Sequence, residues 1–143
     1  MVIGVLVTAL LFMQGAAVPA IDAQDPDKLT QLMRASARGD VSLVNSLIEK
    51  GANPNVRNTD FGLTVLMFAS FFGHMNVVQA LLAKSADTAA QDAMESKTID
   101  WASLGDHHAI AKVLADKGAK LNFLVSIGSM PQWLMDKAAA RQP

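Results

Sequence analysis

The residues that could do acid–base or metal chemistry in this chain are few and close together. Asp100 and the run Asp106-His107-His108 place two carboxylates and two imidazoles within nine positions. Such a set can hold a divalent cation and activate a water for hydrolysis. Adjacent residues on a helix point in different directions, however, so His107 and His108 do not readily address one ligand. The remaining histidine, His74, stands alone. There is no Gly-x-Ser-x-Gly, no phosphate-cradling glycine loop and no His-Glu-x-x-His. The chain also lacks cysteine, which excludes thiol catalysis, disulfides and zinc–thiolate sites. No catalytic residue, cofactor or metal is expected. A small metal-assisted hydrolase using Asp100, His107 and His108 is the competing class.

The elements that would position any site follow from composition. Of 143 residues 51% are apolar and 17% charged, with a formal net charge of −1. That balance offers no overall basic field for nucleic acid. The apolar share is uneven: residues 1–20 hold 15 apolar side chains and no charged one, and the rest is about 47% apolar. With 23 Ala, 16 Leu and no Tyr, the remainder favours helices, giving an all-α expectation for one domain.

The leader, MVIGVLVTALLFMQGAAVPA, has an apolar run of signal-peptide length and small residues before a break at Ala20, with Ala23 a second possible site. The run is short for a membrane span, which needs roughly 20 predominantly apolar residues. No Lys or Arg precedes it, so an uncleaved anchor and a buried first helix stay open beside a cleaved signal. The expectation is export to the periplasm, or an inner-membrane anchor facing the periplasm if the leader is retained.

Downstream, the sequence repeats. Segments 29–55, 63–89 and 96–122 superpose, with equivalent positions 34 and then 33 apart: Leu32, Leu66 and Ile99; Ala35, Ala69 and Ala102; Leu47, Leu81 and Leu114. Each copy has a short segment ending near Gly39, Gly73 or the Gly105-Asp106 pair, where a glycine can adopt the left-handed helix-ending conformation. A second segment follows with apolar residues at helical spacing, such as Val41, Val44, Leu47 and Ile48. Gly51 and Gly118 close it. Each unit reads as a helix–turn–helix with a projecting loop.

These residues resemble the ankyrin-repeat family. Thr64, Leu66, Ala69, Gly73, His74, Leu81, Leu82, Ala86 and Asp87 carry its pattern in the middle copy. Gly51, Ala52 and Asn55 carry its end in the first copy, and Gly118, Ala119 and Asn122 in the third; Asp25 and Asp92 fall where the family begins a unit. The resemblance implies an all-α solenoid of three repeats, 25–57, 58–91 and 92–123, with hairpin fingers. It also implies structural roles for His74 and His107. The family's motif His is replaced by Met33, Met67 and Asp100, so its Thr–His hydrogen bonds are expected to be absent. Ser85 stands for a closing glycine, and the loop after it, 88–97, is expected to be looser than the first. Ser129-Met130-Pro131-Gln132 reads as a capping box opening a C-terminal half-repeat, 129–141, that covers the third unit.

Small exported ankyrin proteins of this kind look bacterial, and the family binds other proteins through a concave face of fingertips and first-helix ends. By alignment those positions are Arg38 with Ala37 in unit one, Asp60, Phe61, Leu63, Phe71 and Phe72 in unit two, and Met94, Ser96 and Leu104 in unit three. Phe68 is assigned to the core, and Arg57 to the rim beside Arg38 and Asp60. The apolar stripe of three Phe, two Leu and a Met is the expected partner-binding site. The expected function is thus a non-enzymatic, exported protein-binding module, monomeric when free. An inhibitor or immunity protein against a toxin is the alternative within that class, and membrane contact is expected only with an uncleaved leader.

Overall fold

The computed structural model describes residues 20–120; the expected signal segment, apart from Ala20, and the expected half-repeat at 129–141 lie outside that range. Six α-helices follow a 3-10 turn at Ala20–Asp22: α1 Gln31–Arg38, α2 Val41–Glu49, α3 Val65–Phe71, α4 Met75–Ala83, α5 Thr98–Leu104 and α6 His108–Asp116. Among the described residues there are only isolated β-bridges, one in each of two fingers, Arg57 with Thr64 and Gln91 with Lys97. The fold is an all-α stack of three helix–turn–helix units. α1, α3 and α5 form an inner layer, packed α1 on α3 and α3 on α5, and each is backed by the second helix of its own unit.

Local chemistry sets the helix starts. Thr30 caps α1 by accepting from the Met33 N–H at 3.2 Å, Thr64 caps α3 through Met67 at 3.3 Å, and Asp40 caps α2 through Leu43 at 3.0 Å. No His stands at these motif positions, yet in two units another side chain supplies a return bond. Met67 Sδ accepts the Thr64 N–H at 3.4 Å, and Asp100 Oδ2 accepts the Lys97 N–H at 2.8 Å. A thioether and a carboxylate thus do the imidazole's work of satisfying the N-cap donor.

The helix ends carry a correction. Gly39 and Gly73 are left-handed, at φ 76° and 79°, but in the third unit Asp106 takes that conformation at φ 62°, not Gly105. Gly105 has another reason to be glycine: a Cβ there would lie 2.3 Å from the Phe71 carbonyl oxygen of the preceding unit. Ser85, at φ 60°, does adopt the conformation its glycine counterparts Gly51 and Gly118 adopt, and a non-glycine residue there costs roughly 1–2 kcal/mol.

The core runs unbroken through the stack. Leu32, Met33, Leu66, Met67, Leu81 and Leu114 are its largest fully buried side chains. Apolar residues three and four apart on each helix supply it, each burial being worth about 1.5–3 kcal/mol before entropy is charged. Histidines lock successive turns together. His74 Nε2 donates to the Ala37 carbonyl at 2.9 Å with its ring over Gly39, and the His107 ring lies over Gly73, as their structural assignment implies.

Candidate functional site

The fingers hold the face on which a partner would sit, and each is closed by one Asx side chain. Asp25 Oδ1 accepts the Leu29 N–H at 3.1 Å, Asn58 Oδ1 the Leu63 N–H at 2.7 Å, and Asp92 Oδ1 the Ser96 N–H at 2.9 Å. Sequence reasoning singled out Asp25 and Asp92 but missed Asn58. The signal was there: Asn58 lies 33 residues after Asp25 and 34 before Asp92, in a finger one residue longer.

The fingers are also joined to each other. Ala93 N–H donates to the Phe61 carbonyl at 2.8 Å, and the Arg57 guanidinium donates to the Gln91 carbonyl at 2.7 Å. Arg57 therefore braces two fingers rather than rimming a groove. Gln24 links its segment to the second finger, donating to the Arg57 carbonyl and accepting from the Thr59 N–H and hydroxyl.

The apolar positions divide into two sets. Leu63 and Phe71 are only 2% and 5% exposed, as is Ser96 at 2%, so the expectation that they face a partner is corrected. Phe71 stands edge-on to Trp101, ring centres 5.8 Å apart, and edge-on to Phe72 at 5.1 Å. With Leu63, Met67 and Phe68, the Phe71 and Trp101 rings close on a crevice no larger than about one water. Phe68 is buried as assigned.

The second set remains at the surface. Met94 is the exposed large apolar side chain of the described residues, at 36%. Phe61, Phe72 and Leu104 are half-buried against the core, and Arg38 and Asp60 are exposed. The Ala93–Phe61 backbone bond ties the finger that carries Met94 to the finger that carries Phe61.

The candidate metal cluster does not converge. Asp100 is buried and holds the N-terminus of α5, His107 packs on Gly73, and His108 pairs with Asp106 at 3.2 Å, both side chains more than four-fifths exposed. Among the described residues no group of three or more His, Asp or Glu is placed to hold a metal.

Charge is concentrated at the first finger. Arg34 bridges Asp25 and Asp27, the latter at 2.8 Å. Partial burial pushes the Asp25 carboxyl up, but the Leu29 N–H, the Arg34 hydrogen bond and the Arg34 charge outweigh it and hold the pKa below its ordinary value.

The described architecture matches known proteins at the level of its repeats. A family model for ankyrin repeats matches three copies over residues 32–124. The chain is 38% identical over 98 residues to an E3 ubiquitin-protein ligase of Arabidopsis thaliana, covering 66% of this chain and 19% of that protein. It is 34% identical over 98 residues to a human ankyrin repeat domain-containing protein, covering 66% of this chain and 26% of that one. A putative ankyrin repeat protein of Rickettsia bellii is 28% identical over 113 residues, covering 76% and 32%. The chain thus spans between about a fifth and a third of the length of these relatives. The three copies coincide with the three stacked helix pairs, and the chain belongs to the ankyrin-repeat family.

Proposed function

We propose that this chain is a non-enzymatic protein-binding module that engages another protein through its fingertips and the adjoining ends of its first helices. The observation that carries the reading is Met94, the exposed large apolar side chain of the described residues, next in sequence to the Ala93 whose N–H is bonded to the carbonyl of half-buried Phe61 on the neighbouring finger. Half-buried Phe72 and Leu104 and exposed Arg38 and Asp60 belong to the same set of aligned face positions. A compact apolar centre with charges around it is the anatomy of a protein interface, in which a few anchors carry most of the affinity. The apolar leader at 1–20 supports export as part of the same proposal. Intact mass tests that part: a chain beginning at Ile21 or Gln24 supports it, and a retained Met1 overturns cleavage.

The binding reading is tested by affinity capture with the wild type, a Phe61→Ser/Met94→Lys variant and a Lys112→Glu variant on the second helix of unit three. All three are expected to melt at similar temperatures. A partner held by the wild type and by Lys112→Glu, but lost at least tenfold by the fingertip variant, supports the proposal. A partner that tolerates the fingertip changes and is lost with Lys112→Glu overturns it.

A further inference from the structure

The two junctions of the stack are built differently, and we infer that the second is a hinge at which the ankyrin face changes curvature. At the junction of units one and two, both layers are fastened. α1 packs on α3, α2 packs on α4, and His74 donates to the Ala37 carbonyl. At the base of the outer layer the Asn55 amide forms a two-armed clamp: its Oδ1 accepts the Asp87 N–H at 2.8 Å and its Nδ2 donates to the Ser85 carbonyl at 3.3 Å.

At the junction of units two and three the inner side is fastened and the His107 ring packs over Gly73, but the base of the outer layer has no such clamp. α3 packs on α5 more extensively than α1 packs on α3, Phe71 meets Trp101, and the fingers share the Ala93–Phe61 and Arg57–Gln91 bonds. The outer helices α4 and α6, in contrast, approach each other less closely than α2 and α4 do. The position equivalent to Asn55 is Ala89, whose methyl group can neither donate nor accept. The residues such a clamp would grip are present: Gly118 is left-handed like Ser85, and Lys120 stands where Asp87 does.

A joint that is tight along one edge and open along the other turns about the tight edge. Unit three is therefore free to rock about a line through the fingers and inner helices, which swings α6 toward or away from α4 and changes the tilt of the third unit on the first two. Units one and two move as one body. If the fingertips bind a protein, as proposed above, the hinge lets the face adjust to it; the hinge itself stands on the free chain.

The absence of native cysteine permits direct measurement in the full chain. Nitroxide pairs are placed at the equivalent exposed positions Lys50→Cys with Lys84→Cys, and Lys84→Cys with Lys117→Cys, and inter-label distance distributions are read from dipolar broadening. The second pair is expected to give a distribution at least twice as broad as the first. Ala89→Asn is expected to narrow it toward the first without changing the first. Equal widths at the two junctions overturn the hinge, and an unchanged second width in folded Ala89→Asn overturns its assignment to the missing clamp. Because neither readout needs a partner, failure of the hinge and failure of the binding proposal are separate results.

Discussion

α1 and α3 occupy equivalent places in successive units, yet they solve different problems. α1 buries Leu32, Met33, Ala35 and Ser36 and turns Gln31 and Arg38 to solvent. α3 buries all seven of its residues from Val65 to Phe71. The difference is position in the stack. α1 has one inner-layer neighbour among the described helices, whereas α3 is flanked by α1 and α5 and backed by α4. An apolar surplus on a central helix therefore reports two-sided packing before it reports a partner. The lesson falls hardest on Phe71, whose ring is consumed by Trp101.

The sharpest way to break that comparison is Phe71→Ser against Met94→Ser. Removing a ring that is 5% exposed and leaving a hydroxyl in its place is expected to cost about 3–5 kcal/mol, on the scale of buried aromatic truncations. Met94→Ser should cost less than about 1 kcal/mol. Urea unfolding of both variants gives the answer. Similar small losses would return Phe71 to the surface and with it the stripe that the sequence suggests.

The fold was legible because it repeats. Periods of 34 and 33 align Leu32 with Leu66 and Ile99, and a pattern seen three times resists the ambiguity of any one copy. The site was half legible. Alignment picks positions that stay at least partly accessible, as Arg38, Asp60, Phe61 and Met94 do. It does not find which side chain a neighbouring unit will cover, because that depends on the size of the partner ring: Leu63 and Phe71 line a crevice closed by Trp101 of the next unit. Gly105 failed for a similar reason. Its glycine is demanded by an approaching carbonyl from the unit before, not by its own φ.

A finer contrast between units lies in one matched pair. Arg34, Phe68 and Trp101 are equivalent positions, as are Asp25, Asn58 and Asp92. Where the helix offers a donor, the finger offers a carboxylate: Arg34 to Asp25, and Trp101 Nε1 to Asp92 Oδ2 at 2.9 Å. Where the helix offers Phe68, the finger has a neutral amide. Asn58→Asp should therefore place a 5%-exposed carboxylate against an aromatic ring with no cation, costing about 1–3 kcal/mol at pH 7. Asn58→Asp with Phe68→Trp should recover part of the loss in a double-mutant cycle. Strict additivity of the two changes would show that the pairing across units is coincidence.

The smallest effect belongs to the exposed version of that pair. Asp25 is held ionised by the Leu29 N–H and by Arg34, so its pKa in the folded chain lies below the ordinary carboxylate value despite the opposing pull of burial. A group with a depressed folded pKa contributes stability above its unfolded pKa, near 3.9 for Asp, and loses it as pH falls through the lower folded value. Asp25→Asn keeps an oxygen to accept the Leu29 N–H and removes only the charge. The variant should unfold at slightly lower urea than the wild type at pH 7, and the gap should close as pH falls below about 4. Both the size and the sign matter, because solvent screens this pair where it cannot reach Trp101 and Asp92. A gap that persisted or widened in acid would mean that Arg34 holds the first finger by packing along its stem rather than by charge, and α1 would then resemble α3 more than its composition suggests.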